Sequence, residues 1–169
     1  EAVEFPEFKE RTEDLGWTWD GTNRDHGRLA NPDKPGATKA KYELITENEQ
    51  RYEAYQVEDA DYVFVAFGLP SRTAKNAVDI LRAQGEKVGI IRPITVWPFP
   101  YKAFEQVKGF ISVESTDAGQ LVEDVALAAK KTRIDVPIYG QFTNQHIPKA
   151  KEVVKFYEQV KAGQMKEVF

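Results

Sequence analysis

From Tyr62 onward the apolar residues come in short unbroken runs, separated by longer stretches in which they recur every three or four positions. Short runs mark buried strands and the three-to-four spacing marks helices with one buried face, so the alternation predicts βαβ units and a parallel sheet. YVFVAF (Tyr62 to Phe67) is apolar throughout, as in a strand covered on both faces. Ala74, Ala77, Val78 and Leu81 then fall at i, i+3, i+4 and i+7, with Ser71 as the expected N-cap and Gly85 as the stop. KVGII (Lys87 to Ile91) is the second strand. Tyr101 to Val107 is expected to form a short helix, with Pro100 suited to its first turn. GFISVE (Gly109 to Glu114) is the third strand, and Leu121, Val122, Val125, Ala128 and Ala129 mark a third helix. VPIYG (Val136 to Gly140) is the fourth strand, and a last helix starts near Pro148 with Ala150, Val153, Val154 and Tyr157 on one face. Right-handed crossovers put these elements into a three-layer, doubly wound α/β fold with a mainly parallel sheet.

Upstream the pattern thins. KAKYELITENEQRYEAYQ (Lys39 to Gln56) combines good helix formers with a stripe at Tyr42, Ile45, Tyr52 and Tyr55, and predicts an N-terminal helix. Before it, glycines and prolines lie among charges and no regular element is expected. The expected organisation is an extended arm over 1–38, a linker helix over 39–57 and the α/β domain over 58–169. Trp17 and Trp19 would be out of place in a free linker, so the arm is expected to lie on a partner surface.

Composition narrows the function classes. A chain of 169 residues can bury one sizeable core. Its net charge is −4, and its 23 basic residues are scattered rather than gathered into a stripe, which excludes a nucleic-acid partner. With no cysteine, these residues form no disulfide and hold no thiolate metal site or iron–sulfur cluster. No apolar run approaches the roughly 20 residues of a membrane span. The expectation is a soluble cytoplasmic protein with no membrane contact, and the start, without Met, reads as a piece of something longer.

Four loops lie at the carboxyl ends of the predicted strands, where doubly wound sheets bind ligands. GLPSR offers a helix N-terminus with Arg72 beside it for an anion, or only a tight turn and a cap. RPITVWPFP places Arg92 at a strand end, where its planar fork suits a carboxylate or phosphate. Its prolines stiffen Trp97 and Phe99, which carry no acid, base or nucleophile and suit an interface anchor. In ESTDAGQ, Glu114 and Asp117 could serve as a base and a metal ligand. Alternatively Asp117 or Thr116 caps the helix, Gly119 permits close packing and Glu114 partners an arginine. His146 sits in GQFTNQHIP without ligand-spaced neighbours and reads as a cap or surface residue. No GxGxxG or GxxxxGK[ST] pattern is present.

VEDADYVFVAFGLPSRTAKNAVDILRAQGEKVGIIRPITVWPFP, followed by ISVESTDAGQLVEDVALAA, resembles the C-terminal region of the α subunit of 2-oxoacid:ferredoxin oxidoreductases. That region has the transketolase C-terminal-domain fold. KYELITENEQRYEAY is similar to the helix that precedes it there, the likeness covers about residues 39–145, and RPIT-x-WPFP is its most specific part. The GQLVEDV run resembles the branched-chain (2-ketoisovalerate) members more than the 2-oxoglutarate or pyruvate ones. The resemblance implies a parent enzyme that uses thiamine diphosphate, Mg2+, an iron–sulfur cluster and CoA to convert a 2-oxoacid to an acyl-CoA. It implies as partners the remaining domains of the α subunit, the β and γ subunits and, through the whole complex, ferredoxin. This chain resembles neither thiamine-binding domain, so in isolation it is expected to be inactive, with a scaffolding and subunit-contact role. Arg72, Arg92, Trp97, Phe99, Glu114 and Gln120 are its interface or ligand candidates, and a homodimer pairing Trp97 and Phe99 fits the same reading. The rival is a free-standing small-anion-binding or regulatory α/β domain using Arg72, Arg92 and Glu114.

Overall fold

The computed structural model describes residues 37–104, 107–144 and 146–169. Trp17, Trp19 and the expected arm as far as residue 36 lie outside the described residues, and its last two positions, 37–38, are already in the first helix. The chain divides into two units, Glu1–Leu44 and Ile45–Phe169. Of the first, the described part is the start of helix α1 (Ala37–Asn48), solvent-exposed from Lys39 to Leu44 and carrying a Lys39–Glu43 ion pair one turn apart.

The second unit is built on a five-stranded sheet: β1 (Tyr52–Tyr55), β2 (Tyr62–Val65), β3 (Val88–Pro93), β4 (Gly109–Glu114) and β5 (Ile138–Phe142), in the order β1-β3-β2-β4-β5. The four strands β2 to β5 are parallel and β1 joins the β3 edge antiparallel. The crossovers are α2 (Gly68–Ala83), a single 3-10 turn at Tyr101–Ala103 and α3 (Leu121–Lys131), and the last helix is α4 (Ala150–Lys161). Successive strand residues serve opposite layers, as the two-residue repeat of a strand requires. Phe64, Ile90, Ile111 and Val113 pack with Ala74, Ala77, Val78 and Leu81 of α2 and with Val153, Val154 and Tyr157 of α4. Val63, Val65, Ile91 and Phe110 pack on the other face with Leu121, Val122 and Val125 of α3 and with Phe99 and Phe104. The doubly wound, three-layer architecture read from the periodicity is the one observed.

Four boundaries differ from the expectation, each for a local reason. The N-terminal helix ends at Asn48, and Tyr52–Tyr55, read as its continuation, is strand β1. The unpaired edge of β3 supplies a ladder there, so tertiary pairing overrides helix propensity. The α/β unit therefore begins upstream of residue 58. Ser71 does not cap α2: the chain turns at Gly68 (φ 62°), and the Ser71 hydroxyl donates back to the Gly68 carbonyl at 2.7 Å. Among the described residues after Pro100 the chain makes one 3-10 turn, and Phe104 leaves the helical path to pack on Phe110, ring centroids 4.9 Å apart. β5 begins two residues later than read. Pro137 has no N–H for the ladder and contributes only its carbonyl, which accepts the Phe110 N–H at 3.1 Å. Gly85 does end α2, its N–H closing on the Arg82 carbonyl at 3.0 Å.

Candidate functional site

With β2 central, β3 on one side and β4 on the other, the strand order reverses at β2, and a ligand crevice is expected outside the carboxyl ends of β2 and β4. Glu114 ends β4 at that place. Its side chain is buried and turned onto the start of α3: Oε2 accepts the N–H groups of Gln120 at 2.6 Å and Leu121 at 2.8 Å, and Oε1 accepts that of Val122 at 3.0 Å. The Ser112 hydroxyl donates to Oε1 at 2.5 Å. The first N–H groups of a helix have no partner within the helix and attract negative charge. Here the chain's own carboxylate takes the position that a bound phosphate would otherwise occupy.

This corrects two expectations. Glu114 partners a helix N-terminus rather than an arginine. Neither Asp117 nor Thr116 caps α3, since Asp117 is exposed and the Thr116 Oγ1 accepts the Gly119 N–H at 3.1 Å inside the preceding turn. Gly119 is needed for close packing: at φ 76° a Cβ would lie 2.9 Å from Val122 Cγ1 and inside van der Waals contact with the Phe142 ring. Gln120 contributes its backbone N–H, with its side chain exposed. Asp124, one turn into α3, is held above the usual carboxylate range by burial, then by the nearby negative charges of Glu123 and Glu114.

The RPITVWPFP loop is pinned rather than merely stiff. Ile94 and Thr95 donate their N–H groups to the Arg51 carbonyl at 2.9 and 3.2 Å, and the Thr95 hydroxyl donates to the Pro98 carbonyl at 2.8 Å. The two aromatic residues expected to form one ridge separate. Phe99 is buried against Tyr101 and Phe104 and belongs to the domain's own core, so it is not an interface anchor. Trp97 remains 55% exposed, together with Ile94 and Val96. Arg92 pairs across the strands with Glu53, Nη1 to Oε1 2.9 Å, so its fork is engaged within the sheet. His146 lies at the surface, with Nε2 3.2 Å from Glu152 Oε2. The Lys149 N–H, then His146, lower the Glu152 pKa.

Arg72 and Arg92 share one open groove of about 600 Å³, which they line with Glu53, Ala54, Tyr55, Leu69 and Lys75. Glu114 is not among its walls, so the three-residue set of the rival reading is not assembled. Glu53 and Tyr55 are not singled out by the sequence because their segment has the look of a helix, and Lys75 because it resembles any exposed lysine of α2. The available signal was the alternation in YEAY, where Glu53 and Tyr55 share a face. Among the described residues, no group of three or more His, Asp or Glu side chains is placed to hold a metal ion, and no helix is long and apolar enough to cross a membrane.

Residues 60–162 match the profile of the pyruvate:ferredoxin oxidoreductase core domain II. The chain belongs to this family. As a core domain II member it is 50% identical over 93 residues to the ketoisovalerate oxidoreductase subunit VorB of Methanothermobacter marburgensis, a match covering 53% of this chain and 26% of the relative. The 2-oxoglutarate synthase subunit KorA of Methanocaldococcus jannaschii is 45% identical over 74 residues, covering 43% of this chain and 20% of the relative. The matched part of the chain thus spans about a quarter of the length of VorB. Among solved structures, the 2-oxoglutarate:ferredoxin oxidoreductase from Magnetococcus marinus, with 2-oxoglutarate, coenzyme A and succinyl-CoA bound, matches with a TM-score of 0.59 at 20% identity, over 80% of this chain and 25% of that one. A split-gene transketolase matches with a TM-score of 0.54 at 19% identity, over 69% of this chain and 42% of that one. Core domain II thus shares its fold with transketolase, as the resemblance implied.

Proposed function

We propose that this chain is the C-terminal structural and subunit-contact domain of the α subunit of a branched-chain 2-oxoacid:ferredoxin oxidoreductase. The parent enzyme would oxidatively decarboxylate a 2-oxoacid to an acyl-CoA in the cytoplasm. The substrate class is supported by the higher identity to the ketoisovalerate oxidoreductase subunit than to the 2-oxoglutarate synthase subunit or, at 28%, to the pyruvate synthase subunit PorA of Methanosarcina barkeri. The observation that carries the structural role is Glu114. At the crevice where related architectures hold ligands, this domain fills the helix N-terminus with its own buried side chain. These 169 residues contain no cysteine, so thiolate ligands for an iron–sulfur cluster would come from elsewhere in the parent. Thiamine diphosphate, Mg2+ and CoA likewise belong to the parent enzyme in this reading. The partners are the rest of the α subunit, the β and γ subunits and, through them, ferredoxin.

The test is to assemble the full-length subunits and assay acyl-CoA formation from 2-ketoisovalerate, CoA and oxidised ferredoxin. A parallel assembly lacks residues 45–169, and this chain is assayed alone. Activity in the complete assembly, loss of the complex without the domain, and no turnover by the chain alone are expected. Turnover by the chain alone, or an intact and active complex without it, would overturn the proposal.

A further inference from the structure

On one face of the sheet the helix layer stops short of the sheet. α4 packs beside α2, and α2 covers β3, but among the described residues no helix packs broadly on β1. The uncovered place is the groove of about 600 Å³ already described, with Tyr55 and Ile90 as its apolar floor and the exposed Leu69 at its rim. Its charge is one-sided: Arg72, Lys75 and Arg92 face a single carboxylate, Glu53, in a chain whose net charge is −4. Glu53 is already paired with Arg92. Lys75 lies 4.5 Å from the centre of the Tyr55 ring, whose hydroxyl donates to Asp79 Oδ1 one turn further along α2. Among the described residues no carboxylate pairs with Arg72. The outer side of β1 is also the end of the sheet.

We infer that this groove is the seat of an acidic, partly apolar segment belonging to another part of the parent assembly, which completes the helix layer over β1. This rests on the reading of the chain as one domain of a larger enzyme. Charge complementarity decides the occupant: an acidic segment finds two cations not used by Glu53, whereas a second copy would bring the same cations to the groove. A small anion would gain little here, because Arg72 and Lys75 are exposed and an isolated ion pair in solvent contributes little. A protein segment also covers Leu69 and continues the layer, burying apolar area that a small anion leaves wet. Arg72 and Lys75 would act as rim charges that select the partner and set its register.

The test uses the assembled full-length enzyme with a photo-crosslinking amino acid in place of Leu69, the linked peptide being read by mass spectrometry. The expected product joins Leu69 to an acid-rich segment of the parent assembly outside these 169 residues, and a link to this chain's own residues 1–44 would overturn the inference. Its yield should drop about ten-fold or more in the Arg72→Glu, Lys75→Glu double variant and fall with added salt. The inference is overturned by a link to an acid-poor segment, by a link to this same domain of a second copy, or by a yield indifferent to charge reversal. Inorganic pyrophosphate titrated into the unmodified chain gives the other arm. Saturable, submillimolar changes in the amide signals of Arg72 and Lys75 would overturn it in favour of a small-anion site. Activity of the assembly keeps the readings apart: an active enzyme with no such link defeats the groove inference alone, and an assembly inactive with every 2-oxoacid defeats the functional reading.

Discussion

The Leu121 N–H points at the Glu114 carboxylate across 2.8 Å, joining the end of one strand to the start of the next helix. Because Gln120 and Val122 donate to the same carboxylate, one side chain satisfies three N–H groups that α3 leaves open. A carboxylate suits this position better than an amide, since every group around it is a donor. Replacing it with Glu114→Gln turns an NH2 toward those donors. The expected loss is about 2 kcal/mol of unfolding free energy, the range for hydrogen bonds to a charged group. Urea unfolding followed by circular dichroism checks it, and a change near zero would mean that the cap contributes little.

Gly89, in β3, is backed closely by main chain. A Cβ there would press on the Gln56 carbonyl oxygen and stand 2.9 Å from Val57 Cα. Both neighbours are main chain, and the Gln56 carbonyl is itself held by Arg82 Nη2 at 2.6 Å, so the clash cannot be relieved by rotating a side chain. Gly89→Ala is therefore expected to destabilise by roughly 1–3 kcal/mol, as for overpacking elsewhere. Thermal unfolding of the variant should show an earlier midpoint.

What the sequence made legible follows from how local each signal is. Helices α2 and α3 and strands β2 to β4 carry their own periodicity, and buried runs such as YVFV need no knowledge of their partners. β1 carries a conflicting signal, its alternation being only four residues long. Tyr52 and Tyr55 are three apart, as on a helix, and only the open edge of β3 makes that segment extended. Glu114 was noticed as a strand-end carboxylate, but its partners lie six to eight residues on and are backbone groups, which carry no residue signature. The groove was half visible. Arg72 and Arg92 stood out, whereas its third cation, Lys75, looked like any exposed helix lysine.

Stability should depend on pH at both ends. Lys161, then the Tyr157 hydroxyl, hold Glu86 below its ordinary value of 4.5. Asp59, beside Arg82, and Glu152 are likewise lowered. A depressed carboxylate stabilises the fold above its unfolded pKa, and that contribution disappears as pH falls through the folded one. Tyr157 is shifted the other way, raised above 10.0 by burial and then by its hydrogen bond to Glu86. Its contribution is complete below pH 10.0 and is lost as pH rises beyond it. Melting temperatures measured across pH should form a plateau that falls below about pH 4.5 and above about pH 10. Tyr157→Phe should flatten the alkaline limb and leave most of the acid limb, because Lys161 still pairs with Glu86 at 2.7 Å. An alkaline limb unchanged in that variant would assign the loss to another tyrosine, with Tyr139, also raised, next in line.

The two aromatic residues of WPFP provide the sharpest contrast between neighbouring positions. Phe99 is 4% exposed and touches the rings of Tyr101 and Phe104, whereas Trp97 is 55% exposed. Phe99→Ala removes a ring from a packed core and should cost about 3–5 kcal/mol, through lost transfer energy and the cavity left behind. Trp97→Ala should cost no more than about 1 kcal/mol, since half of its surface is already in water. If the loop contributes to subunit contact, it must do so through the side chains left outside, Ile94, Val96 and Trp97. The Trp97 substitution should therefore weaken assembly of the full-length enzyme while leaving the melting temperature of this chain nearly unchanged. Size-exclusion chromatography of the reconstituted complex and calorimetry of the isolated chain separate the two effects. Equal destabilisation by both substitutions would show that Trp97 is also part of the core.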